Sequence, residues 1–82
     1  MTKEDVLCMV KEEYEWASIH FPPFNSPHEG YAVILEEVRE LEREVFKHSS
    51  ERDIKHMRAE ARQIAAMAVR FIYDICGGKN EL

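Results

Sequence analysis

Apolar residues recur three or four positions apart along three stretches of the chain, and no stretch alternates with the two-residue rhythm of a strand. In the first stretch Val6, Val10, Tyr14 and Ala17 share a face, and Thr2 with Asp5 offers an N-cap, which predicts a helix over about 2–19. The segment His20-Phe21-Pro22-Pro23-Phe24-Asn25 cannot continue it, because the residue before a proline is pushed toward extended geometry. It reads as a connector. Ser26 then supplies a cap oxygen, Pro27 fits the first helical position and Glu29 stands where a capping-box partner belongs, so a second helix is expected over about 27–48. Its Tyr31, Ile34, Val38, Leu41 and Val45 follow the spacing of a bundle seam. Gly30, in the first turn, costs about 1 kcal/mol relative to alanine. Tolerance near a helix end is the expected reason for it, ahead of a close approach by another group. Ser50 and Asp53 predict a cap for a third helix over about 51–75, stopped by Gly77 and Gly78. The short connection between the second and third helices predicts that they lie antiparallel.

From Ile64 to Cys76 the third helix is apolar almost all round, with only Arg70 and Asp74 charged. Such a helix must be covered on every side. Two others in an 82-residue chain can hardly do that, and Ala65, Ala66 and Ala68 permit close approach, so a homodimer or homotetramer sharing a helical bundle is expected. The chain reads as a single all-α domain over 1–82, small enough to bury only about 60% of its unfolded surface. Apolar residues at 45% and charged residues at 33% argue against disorder. A net charge of −5 argues against a nucleic-acid polymer or an anionic membrane as partner, unless a bound cation inverts the local field. No stretch approaches the roughly 20 apolar residues of a membrane span, and the first residues do not resemble a secretory leader, so a cytoplasmic location is expected. Cys8 and Cys76 show no ligand spacing and read as reduced core or interface thiols.

The polar side of the second helix carries the chemistry. Glu37, Glu40 and Glu44 lie on one flank of the apolar seam, with Glu36 farther round, while His56, Glu60, Gln63 and Met67 form a stripe on the third helix that an antiparallel packing would bring opposite. Neighbouring like charges repel by an amount comparable to the roughly 0.2–0.5 kcal/mol that an opposite pair contributes, and more when partly desolvated. Arg39 and Arg43 offset some of this. A hard cation such as Mg²⁺ or Mn²⁺ would offset more, as in other carboxylate-bearing bundles. By spacing alone, a solvated acidic face and a metal site both remain open.

Glu36-Glu37-Val38-Arg39-Glu40, followed after a spacer by Glu60-Ala61-Arg62-Gln63 opening an apolar helix, resembles the MazG-like all-α nucleoside triphosphate pyrophosphohydrolases over roughly residues 26–75. Their pattern is Glu-Glu-x-x-Glu, then Glu-x-x-Asp. The resemblance implies cleavage of a nucleoside triphosphate between its α- and β-phosphates, giving the monophosphate and pyrophosphate with Mg²⁺ or Mn²⁺. It implies Glu37, Glu40 and Glu60 as metal ligands, and Glu36 as a further ligand or as the catalytic base orienting a water. Gln63 departs from the pattern: it offers a neutral carbonyl oxygen, removes one charge and cannot act as a base. A non-catalytic nucleotide-binding or protein-interaction module of the same fold is therefore the alternative, and a small regulator of a partner protein is a third. Arg70 is a candidate to hold phosphate, or else a solvated or interface arginine. Asn25 and His28, beside the free N–H groups at the start of the second helix, are candidate substrate contacts along with Gln63, although an exposed first-turn histidine is the plainer account of His28. Trp16 and Phe24 are candidates to stack a base. His56 reads as a surface residue.

Overall fold

The computed structural model describes residues 1–77, which form three α-helices, α1 (Lys3–His20), α2 (Pro27–Val45) and α3 (Ile54–Asp74), with one 3₁₀ turn at Ser49–Glu51 and no strand among the described residues. The caps explain the boundaries. At α1 the Thr2 hydroxyl accepts from Asp5 N at 3.1 Å and the Asp5 carboxylate accepts from Thr2 N at 2.8 Å, a reciprocal capping box. At α2 the Ser26 hydroxyl accepts from Glu29 N at 3.1 Å, but the expected return bond goes elsewhere. Glu29 instead accepts from Asn25 N at 2.9 Å and Asn25 Nδ2 at 3.3 Å, which straps the connector to the helix. Asp53, and not Ser50, caps α3: its Oδ1 accepts from Lys55 N and His56 N, so the helix starts at Ile54. α2 ends at Val45, earlier than the spacing predicts, where Arg52 Nε donates to the Val45 carbonyl at 2.9 Å. Gly77 follows α3 with a φ of 84°, which a glycine adopts without a Cβ penalty. Gly78, the other half of the predicted stop, lies outside the described residues.

α3 packs against both α2 and α1, whereas α1 and α2 make no contact with each other. The core is small. Ala17, Phe24, Ala66 and Met67 are buried, with Tyr14, Val33, Ile34, Phe71 and Ile75 packed around them. α1 is tied to α3 by Arg62, whose Nε donates to the Met9 carbonyl at 3.0 Å and lies 3.3 Å from a Glu13 oxygen. The connector is tied to the far end of α3 by Asp74, which accepts from Phe24 N at 3.0 Å.

The inner face of α2 is rotated from the predicted seam. Tyr31 is 62% exposed, and Val38 and Val45 are also exposed, while Gly30 and Glu44 are buried and Val33, Ile34, Glu37 and Leu41 are half-buried. Gly30 is the physical reason. A Cβ there would lie 2.6 Å from the Phe71 ring and 3.1 Å from the Phe24 ring, so the bare Cα is what lets α2 settle against these aromatics. The glycine marks a close approach, not mere tolerance. On α3, Ile54 and Ala61 are exposed, and the buried line runs through Ala66, Met67 and Arg70. Both cysteines are free and exposed, so neither belongs to the core. No helix among the described residues is long and apolar enough to cross a membrane.

Candidate functional site

Rotation of α2 about Gly30 turns its carboxylates toward α3. Glu37 faces Glu60 across the two helices, and burial, the Glu60 carboxyl beside it and the charges of Glu60, Glu36 and Glu40 push the Glu37 carboxyl up from 4.5 to about 7. Glu60 Oε2 is buried and has no hydrogen-bond partner among the described residues. Glu40 stands one turn farther along α2, half-buried, with Arg43 at 3.2 Å. One ligand atom each from Glu40, His56 and Glu60 lies within 4.8 Å of the others. The group whose ligand atoms lie mutually close thus contains Glu40 and Glu60 of the expected acids and His56 in place of Glu37. These side chains offer carboxylate oxygens and one imidazole nitrogen, donor types that a divalent cation can take. Glu36 is exposed, and its charge reaches the site only by raising Glu37.

Two turns from Glu37, the same inner line of α2 carries Glu44, which is 1% exposed. It is well matched. Lys47 Nζ lies 3.0 Å from Oε2, His56 Nδ1 lies 2.5 Å from Oε1, and Asp53 N donates to Oε2 at 3.3 Å. The Lys47 contact, with His56 and the Asp53 amide, holds the Glu44 carboxyl below its ordinary value even though burial opposes this. Glu44 in turn raises His56, with Glu60 adding to the effect through a 3.2 Å contact to Nε2.

Because α1 and α2 do not touch, a groove of about 540 Å³ runs between them over α3. Glu37 and Gln63 line it along with Trp16, Phe24, Met67 and Arg70. Arg70 is 4% exposed. Its Nη2 donates to the Pro22 carbonyl at 2.7 Å, its Nη1 lies 3.7 Å from the Met67 sulfur, and the guanidinium sits 4.6 Å from the Phe24 ring centre. No carboxylate among the described residues pairs with it. Trp16 stacks on His20 at 4.1 Å and keeps half its surface open. Asn25 and His28, by contrast, are exposed and do not line the groove; Asn25 is occupied by Glu29.

The burial of one residue of this region, Glu44, departs from the expectation. Glu44, expected on a flank, is buried, and His56, exposed as expected, reaches it across the α2–α3 contact. A signal was present: Gly30, Glu37 and Glu44 stand seven residues apart, so a face that must admit Phe71 at Gly30 brings both acids inward with it. No protein-family model, curated protein or solved structure matches the chain.

Proposed function

We propose that the chain is a metal-dependent nucleoside triphosphate pyrophosphohydrolase of the MazG-like kind, cleaving between the α- and β-phosphates to release a nucleoside monophosphate and pyrophosphate. The observation that supports this reading is the approach of Glu60 to Glu40 on one side and to Glu37 on the other, with Glu37 lining a groove roomy enough for a nucleotide. Glu37, Glu40 and Glu60 would hold Mg²⁺ or Mn²⁺, with Glu36 able to join them from the rim. When bound, the cation screens the polyphosphate charge and acidifies a water. Glu36 is the exposed carboxylate left to orient that water and accept its proton as the new P–O bond forms and the bridging bond to the β-phosphate breaks. Arg70, a buried cation with no carboxylate partner among the described residues, supplies positive charge to the groove, while Trp16 and Phe24 offer aromatic surface to a base. Asn25 and His28, off the groove, act only if the connector shifts toward it.

The reading includes an antiparallel α2–α3 hairpin that assembles as a homodimer or homotetramer. Tyr31, Val38 and Val45 on α2 and Ile54, Val69 and Ile72 on α3 are exposed large apolar residues that a second copy would cover.

Incubation of the purified chain with a panel of nucleoside triphosphates and Mg²⁺ or Mn²⁺ tests the activity. Monophosphate and pyrophosphate should appear, and Glu40→Ala should reduce them to background; no turnover of any member of the panel would overturn the proposal. Gln63 supports one other reading, a nucleotide-binding module without turnover, since it sits in the groove where the family pattern has an acid. In that case the wild-type chain binds cations weakly and Gln63→Asp gains affinity.

A further inference from the structure

The imidazole of His56 stands between two carboxylates that do different work. Its Nδ1 faces Glu44, and Glu44 is itself fixed by burial, by Lys47 and by the Asp53 amide. That fixes the plane of the ring. Its Nε2 faces Glu60, whose other oxygen is buried without a partner among the described residues, and one oxygen of Glu40 closes the group, with all three ligand atoms within 4.8 Å of one another. A cation about 2.0–2.2 Å from each donor holds neighbouring donors roughly 3–4.4 Å apart, so only small side-chain adjustments separate the present spacing from ligation. A histidine ligand whose second ring nitrogen donates to an anchored carboxylate is the arrangement that fixes tautomer and direction in metal sites. Arg43 on Glu40 offers little resistance, since an ion pair this exposed contributes little.

We propose that His56 Nε2, with carboxylate oxygens of Glu40 and Glu60, forms a mixed nitrogen and oxygen site that selects a first-row transition cation such as Mn²⁺ or Co²⁺ over Mg²⁺, with Glu44 as the positioning residue that aims the ring. This rests on the metal-dependent reading above and adds a ligand that the pattern of acids does not contain. Mg²⁺ takes oxygen ligands and gains little from an imidazole, whereas transition cations accept nitrogen readily. Binding requires Nε2 to give up any proton it carries to solvent and to exchange its contact with Glu60 for the cation.

The test is pulsed electron paramagnetic resonance of the wild-type chain loaded with Mn²⁺, together with Mn²⁺ and Mg²⁺ titrations. The spectrum should show modulation from a directly bound nitrogen. His56→Gln should remove that signal and weaken Mn²⁺ by roughly tenfold or more while changing Mg²⁺ less than about twofold; Glu44→Gln should weaken Mn²⁺ within the roughly 10–100-fold range of outer-shell partners and broaden the nitrogen coupling. Bound Mn²⁺ without nitrogen modulation in the wild type overturns the inference, whatever the variants do. If nucleotide turnover persists in that case, only the His56 assignment falls. Nitrogen-bound Mn²⁺ without turnover of any nucleotide leaves the site standing and removes the proposed activity, and a chain that binds neither cation overturns both.

Discussion

Glu37 and Glu44 are the same residue type, on the same face of the same helix, two turns apart, and their surroundings push them in opposite directions. Glu44 is the more deeply buried of the two and yet keeps its charge, because Lys47, His56 and the Asp53 amide meet its oxygens. Glu37 is less buried and yet holds a proton to about 7, because what meets it across the helix interface is another carboxylate. Partners, more than depth, decide the charge state of a carboxyl. One end of the α2–α3 contact is complete as it stands; the other is short of positive charge.

The largest expected effect is repair of that shortage. If a cation fills the gap, Mn²⁺ at a hundredfold excess over its dissociation constant stabilises the chain by about 2.7 kcal/mol, read as a rise in thermal midpoint, and Glu60→Gln abolishes the rise. An unchanged midpoint in the wild type would mean that the two ends do not differ in the way described. Next comes pH. The folded chain binds the Glu37 proton more tightly than the unfolded chain does, so this contribution is whole below pH 4.5 and is lost as pH climbs through about 7. Without added cation, Glu37→Gln should remove that decline and leave the variant more stable than wild type above pH 7 by about 1–2 kcal/mol after solvent screening, measured by urea unfolding. The Glu44 end runs the other way. Glu44, held low, contributes above its ordinary range and loses this on acidification, while His56, held high, contributes below 6.5 and loses it as pH rises through its elevated value.

Gly30→Ala should disturb both ends together. Crowding against Phe71 costs about 1–3 kcal/mol, of which the better helix propensity of alanine returns about 1, leaving a net loss of about 1 kcal/mol in urea unfolding. The smallest effect belongs to Lys47→Ala. Lys47 is half-exposed, and Glu44 retains His56 and the Asp53 amide, so the change should stay within about 0.5 kcal/mol. A larger loss would show that the lysine, and not the histidine, completes this end.

Local chemistry made much of the fold legible. Prolines and caps are short-range features, and they placed three helices and the connector because Thr2, Ser26 and Asp53 act on amides only two or three residues away. Periodicity also placed Glu37, Glu40 and Glu60 on facing stripes. Rotation of α2 was not legible, because apolar spacing gives Tyr31, Val38 and Val45 the same credentials as Val33 and Ile34, and a tertiary contact between Gly30 and Phe71, forty-one positions apart in the chain, breaks the tie. The partner of the exposed His56 is not legible for a similar reason: it depends on where Asp53 starts the helix and on a residue twelve positions earlier.

α1 and α2 meet only through α3, so the molecule has a mechanical division of labour. The packed pair of α2 and α3 carries the acid-to-acid spacings, and its contacts are close in sequence, the kind that assemble early and quickly. α1 leans on one side of α3 and forms one wall of the cleft. A change in its tilt alters the width of that cleft for ligands of different bulk, while the separation between Glu37 and Glu60 is left untouched.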